Sequence, residues 1–371
     1  MSSIGYIEVS RLADIPPRHW KTHEFCFFLH DQLLHMQVQY EQSGAHNSVV
    51  EAFRKAVKGH EEKFEDVNIL DFLKQHDLVK PYEHHILSHV SLGIMADMLH
   101  FLYESLTAFE KRKFSVGFSL LRKPLKEHLF FLCWLLADSS DFITRFESNN
   151  HETLNHVSKD RKIHIFSDAI QKLATPSLFS ADLVWHMVYS KNHGNSFEPL
   201  FQRATHLVTS MGDLLKTEDY SLNFIFEHPY DDYFFDRLYS NLPYLLILAI
   251  QIGLEVFNRI HEANKLTYSH LVITTMGCYE ALFMDARSQK IANMLNSNLK
   301  KLLKCAHCKA TIRITKKNAV GLFLQEHAFC AKCGLFSPVP LYWLFGQANL
   351  NVVHVDERQD GAMDGKESCR S

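Results

Sequence analysis

The stretch HHILSHVSLGIMADMLHFLYESLTAFE, residues His84 to Glu110, carries the fold in its spacing. Ile86, Val90, Ile94, Met98, Phe101, Leu102, Leu106 and Phe109 recur every three or four residues, the interval that lines one face of an α-helix. Lys111-Arg112-Lys113 then supplies cations where a helix C-terminus favours them. The apolar pattern returns from Phe114 to Ala137, so the two segments read as an antiparallel helical hairpin. Pro124 lies inside the second helix and has no amide hydrogen to donate, so it must kink or restart that helix. Beyond it Leu129, Phe130, Leu132, Cys133, Leu135 and Leu136 are apolar nearly all round, the mark of a centrally buried helix.

Helical spacing extends in both directions. His19–Gln42 is amphipathic and stops at Ser43-Gly44-Ala45-His46-Asn47. Shorter helices are expected over Ser48–Lys58 and Asn68–His76, with a boundary at Lys80-Pro81. After the hairpin, helices are expected over Asp141–Glu147, Glu152–Leu173, Leu178–Lys191, Glu198–Leu215, Leu242–His261, Tyr268–Ala286 and Gln289–Lys304. Gly194, within Asn192-His193-Gly194-Asn195-Ser196, suits a left-handed helix stop. The class is mainly α.

Of the 371 residues 46% are hydrophobic and the formal net charge is −3, which allows a sizeable core and excludes a global attraction to polyanions. Leu242 to Phe257, the most apolar run, is interrupted by Gln251 and Glu255 and falls short of the roughly 20 residues of a membrane span. Met1 to Trp20 has no apolar leader segment. Cys26, Cys133, Cys278 and Cys369 are scattered, as small core residues are in a reducing compartment. The expectation is a cytoplasmic protein with no membrane partner.

The other four cysteines are paired as Cys305-Ala-His-Cys308 and Cys330-Ala-Lys-Cys333. Two residues between cysteines let one tight turn present both sulfurs to a single ion, and two such turns complete a tetrahedral thiolate shell. Between them, Lys309, Thr311, Arg313 and Thr315 alternate with Ala310, Ile312 and Ile314. Lys316-Lys317-Asn318 reads as a turn and Val320–Leu324 as a returning strand, with Phe323 and Phe329 in the core. Residues 303–336 resemble a zinc ribbon, which implies one structural Zn2+ on Cys305, Cys308, Cys330 and Cys333. A pair of disulfides is the other reading, in a chain where nothing else looks secreted. The resulting division is an N-terminal helical segment at 1–80, a helical bundle at 81–298, the ribbon with a docking segment at 299–345, and a polar tail at 346–371 expected to be disordered.

Charge concentrates at the ribbon. Between residues 300 and 333 stand Lys300, Lys301, Lys304, Lys309, Arg313, Lys316, Lys317 and Lys332 against the single acid Glu326. The surface suits phosphate contacts, so nucleic acid is one expected partner. A folding staple or a protein contact is the other reading of the same unit.

Two further segments, Leu120–His128 and Val188–Ser196, resemble bacterial all-helical HEPN-like and abortive-infection proteins over residues 84–290. That resemblance implies a metal-independent ribonuclease of host defence or stress response. Its Arg would stabilise phosphate charge and a His would act as acid or base. Arg122, Glu127, His128 and His193 are the candidates. Arg122 is expected on the buried hairpin, where it needs a carboxylate that Glu127 or another helix can supply. Lys123 and Pro124 stand where the family pattern expects a polar residue and a regular helix. Arg18 and His23, Arg54 and His60, and Arg145 and His151 share the spacing, and chance supplies roughly three such pairs in a chain with 24 histidines. His85 and His89 are spaced to share a helix face and a weakly held metal. The third reading is a scaffold that oligomerises through its apolar helices.

Overall fold

The computed structural model describes residues 3–44, 69–75, 78–147, 152–209 and 232–352, with scattered positions between 47 and 58 and at 217, 222 and 223. The fold is mainly α, with one two-stranded antiparallel sheet beside the cysteine cluster. Helix α1 spans Trp20–Ser43 and ends where Gly44 turns left-handed at φ 66°. A short α2 spans Ile69–Gln75, and α3 runs Val79–Glu110, with Pro81 tolerated in its first turn. Helix α4, Phe114–Lys123, folds back on α3 as the spacing predicts.

Pro124 has the expected effect in an unexpected form. Residues Pro124–His128 form one π-turn, in which the Leu129 amide reaches back five residues to the Pro124 carbonyl. Helix α5, Leu129–Ala137, continues from it and is buried almost throughout. Then follow α6 (Ser139–Glu147), α7 (Glu152–Asn155), α8 (Lys159–Gln171), α9 (Ala181–Tyr189) and α10 (Glu198–Thr205). Glu152–Leu173 is thus two helices rather than one, and the helix expected to reach Leu215 stops at Thr205. Gly194 does not take the left-handed conformation; α9 has already ended, and Ser190 is extended.

Helix α11, Tyr233–Ile260, is the centre of the molecule. Both α3 and α11 are long and apolar enough to cross a membrane, but 94% of the apolar window of α11 is buried inside the fold, against α1, α5 and α3. Helix α12, Lys265–Phe283, packs beside it and leads to α13, Lys290–Asn298. The larger apolar core runs from Leu12 to Phe345 and crosses the expected boundaries at 80/81 and 298/299, and a smaller cluster gathers Phe72, Leu73, Tyr82, Ile86 and Ile143 around α2. Gly346 to Val352 also dock, with the Val352 amide donating to the Ser269 hydroxyl at 2.8 Å. The remainder of the expected tail, with Cys369, lies outside the described residues, as do His46, His60 and His151.

The core encloses one polar chain. Glu110, 2% exposed, accepts from Arg11 at 2.6 Å and from His23 Nε2 at 3.2 Å. Tyr239 Oη lies 2.7 Å from His23 Nδ1. A carboxylate only accepts, so His23 carries its proton on Nε2, and Nδ1 accepts from the Tyr239 hydroxyl. Four elements meet there: the 3-10 turn Val9–Leu12, α1, α3 and α11. Burial opposes the charge on Glu110, but the bonds from His23 and Arg11 outweigh it and hold the carboxyl below its ordinary range. Burial lowers His23 despite the pull of Glu110. An acid with a depressed folded pKa contributes stability that is lost as pH falls through that pKa. A histidine with a depressed pKa is protonated first in the unfolded chain. Both signs agree, so unfolding free energy should decline as pH drops below about 6.5 and more steeply below about 4.5. Glu110→Gln should cost about 3 kcal/mol at neutral pH and flatten the acid limb, as read by urea denaturation across a pH series.

Candidate metal centre and the other sequence-predicted residues

The two Cys-x-x-Cys turns have the same backbone. In the first, the Lys309 amide donates to the Cys305 carbonyl at 3.0 Å and the Cys305 amide to the Ala310 carbonyl at 2.8 Å. In the second, the Gly334 amide donates to Cys330 at 2.9 Å and the Cys330 amide to Leu335 at 3.0 Å. Each turn closes on a left-handed residue four positions after its first cysteine: Lys309 at φ 61° and Gly334 at φ 73°. Glycine takes that conformation freely, whereas a side chain there is strained.

These turns bring all four sulfurs within 4.8 Å of one another, with Cys305 and Cys333 3.7 Å apart and Cys308 and Cys330 3.6 Å apart. A tetrahedral thiolate shell with metal–sulfur bonds of about 2.3 Å needs sulfurs about 3.8 Å apart, so the donor set and the spacing fit one metal ion. A disulfide requires about 2.05 Å, and the cysteines are free. Amides of Cys308 and then His307 draw the Cys305 thiol down to about 6. The Leu335 amide likewise pulls on Cys333, but burial and the three neighbouring sulfurs push that thiol up to about 12.

The segment between the turns is not a hairpin. Lys316–Gln325 forms helix α14, opened by a capping box in which Thr315 and Asn318 satisfy each other's backbone amides. The strands flank the second turn instead: β1, His327–Phe329, pairs with β2, Phe336–Pro338, so that Phe329 faces Phe336. Helix α15, Leu341–Gln347, follows. Phe323 of α14 is in the core as expected and lies against α12 at Gly277, where a Cβ would overlap its ring. Asn296 of α13 bonds both the amide and the carbonyl of Ile314 at 2.8 Å. The cysteine unit is therefore seated on the bundle at two points.

Lys300, Lys301, Lys304, Lys309, Arg313, Lys316, Lys317 and Lys332 are all exposed. None is in an ion pair with an acid among the described residues. Lys304, Lys309 and Lys316 bond Thr311, the Ala306 carbonyl and the Met284 carbonyl. Glu326, its side chain 42% exposed, accepts from the Leu341 amide at 3.2 Å and lies 3.5 Å from His270. Phe329, expected in the core, is 50% exposed, and Phe336 opposite it 69%. Their rings meet edge to face, 5.7 Å between centroids.

The other candidates are placed apart. Arg122 sits at the end of α4 with its side chain 39% exposed and 3.7 Å from an equally open Glu127, so it is not the buried pair expected. The hairpin buries Leu121 and Leu125 on one face and leaves Arg122 on its margin. His128 is buried, with Nε2 3.0 Å from Asp97 and Nδ1 without a partner, and burial lowers its pKa. His193 is exposed, accepts from the Asn195 amide and lies near the His186 ring. The segments 120–128 and 188–196 do meet, through the Tyr189 hydroxyl on the Lys126 carbonyl at 2.6 Å. No hydrogen bond or ion pair joins Arg122 with His193 among the described residues. His85 and His89 stack at 5.4 Å without a third ligand among the described residues. The cleft between α1, α11 and α12, about 530 Å³ and lined by His35, Tyr40, His261 and His270, includes none of the predicted site residues.

Comparisons with protein-family models, curated proteins and solved structures find no match to this chain, so none supports the HEPN-like resemblance. Because the Arg122–Glu127 pair is open to solvent, Arg122→Ala should shift stability by less than about 1 kcal/mol, as read by urea denaturation.

Proposed function

We propose that this is a zinc-binding helical protein whose cysteine unit contacts nucleic acid through its basic surface. The observation that carries the reading is the charge of that surface: between residues 300 and 333 eight exposed cations, none in an ion pair with an acid among the described residues, stand against the single acid Glu326. Such a surface is electrostatically unfavourable unless an anion lies on it, and phosphates spaced along a strand are the anions that match its extent. Lys309 adds to the argument. It occupies a strained left-handed position whose counterpart in the second turn is Gly334, so a charge is kept where glycine would relieve the backbone.

Zinc is the metal that four thiolates in tetrahedral array favour in a site closed to solvent chemistry. Its role is to hold two short turns that lack a core of their own. Cys305, Cys308, Cys330 and Cys333 hold it, while the cations remain on the outside. Purified protein should contain about one zinc per chain, and Cys305→Ser should lose it, as measured by elemental analysis. No metal, or disulfides at these positions, would remove the centre from the reading.

Contacts of this kind go to phosphates, so affinity for a DNA or RNA probe should fall steeply with salt and vary little with sequence. Replacing Lys309, Arg313 and Lys317 together by Ser should weaken binding and flatten the salt slope by about the number of phosphates released. Zinc content should be unchanged. If the triple variant binds as the wild type does, the unit is a staple and not a contact surface.

A further inference from the structure

We infer that the exposed Phe329–Phe336 pair is a stacking platform for the bases of a single strand, beside the cations that take its phosphates. The inference rests on the nucleic-acid reading above and names the class of nucleic acid.

The sheet has two faces. Ala328 and Ser337 point inward and are buried, and the Ser337 hydroxyl accepts from the Ala306 amide at 2.8 Å, tying β2 to the first cysteine turn. The outward positions are His327, Phe329, Phe336 and Pro338, paired across the strands. Phe336 leaves more than two thirds of its surface in solvent and Phe329 half, with Leu335 next to them equally open. Single exposed apolar residues are ordinary, but two facing phenylalanines on one strand pair form a contiguous patch that costs solubility unless something covers it.

The cover is argued from charge. His307 Nε2 donates to the Phe336 carbonyl at 3.1 Å, which places the first turn against the platform. Lys309 bonds the Ala306 carbonyl, one residue from His307, and Lys332 stands in the second turn between Phe329 and Phe336 in the chain. From residue 300 to residue 352 the sole acid is Glu326, which accepts from the Leu341 amide. An exposed ring pair in a unit whose two turns each carry an exposed lysine, Lys309 and Lys332, matches a ligand that alternates flat apolar faces with negative charges. A single strand presents both, whereas a duplex hides its base faces in the stack. Neither ring is needed for the core, so their removal leaves the fold intact.

The test uses the zinc-loaded full chain with two fluorescent probes of equal length, oligo(dT) and an abasic deoxyribose-phosphate strand. Wild type should bind oligo(dT) at least tenfold more tightly than the abasic strand, since each stacked base contributes roughly fivefold or more and the platform has two rings. Phe329→Ala with Phe336→Ala should abolish that preference while keeping zinc content and the slope of affinity against salt. Equal binding of both probes by wild type, with a steep salt slope, overturns the platform and leaves the basic surface standing. Binding of neither probe overturns both. If the double variant keeps its oligo(dT) affinity but turns a dimer into a monomer in sedimentation, the pair is a self-association face and the inference falls.

Discussion

Four sulfurs must lie within a few ångströms of one point, and the last third of the chain is arranged around that requirement. Neither Cys-x-x-Cys turn can hold itself, since each amounts to a few hydrogen bonds and one left-handed residue. Their mutual position comes from outside: the Ser337 hydroxyl on the Ala306 amide, Asn296 clamped on Ile314, and the Phe323 ring against Gly277. A substituent on Gly277 would lift α14 from α12, and with α14 would go the geometry of the two turns that it separates. The spacing of the four sulfurs is thus a consequence of bundle packing as well as of local sequence. This explains why Cys305 and Cys330 lie within the same apolar core as α11.

The bundle has its own fixed point in Glu110. An ionised carboxylate at 2% exposure is tolerable only where donors surround it, and Arg11 and His23 supply them from elements far away in the chain. Arg11 anchors the N-terminal segment to α3, while His23 passes the interaction to Tyr239 on α11. Glu24, equally buried, works the same way on a smaller scale by collecting the amides of Ile4, Gly5 and Tyr6. Residues 3–12 are therefore held by two carboxylates as well as by the packing of Ile4, Tyr6, Ile7 and Leu12 on the core.

Much of the helical layout was legible because apolar spacing reports the face of a helix directly. The buried α5 and the break at Pro124 followed from composition and a missing amide. What escaped did so for physical reasons. Val320–Leu324 is a five-residue apolar run, which periodicity cannot assign to strand or helix, and the deciding signal was the cap Thr315-x-x-Asn318. Phe329 sits on a three-residue strand, too short for alternation to say which side faces solvent. The Glu110 network joins residues 87 and 99 positions apart, and no local pattern encodes such a pairing. Arg122 was placed by the burial of its helix, whereas its own face decides, and that face is the open one.

The cysteines, by contrast, were readable because a metal shell imposes covalent-scale spacing on the sequence itself. That legibility has a limit worth following to its end. Spacing identifies the ligands but is silent on whether the unit only staples the C-terminal segment or also meets a partner. The two turns offer an internal comparison: same backbone, same hydrogen bonds, Gly334 in one and Lys309 in the other. Lys309 stands at φ 61°, and Phe336 leaves 69% of its surface in solvent. The two lie in one unit, where His307, two residues before Lys309, donates to the Phe336 carbonyl at 3.1 Å. Strain and exposure that coincide in one unit are what the reading of it as more than a staple rests on.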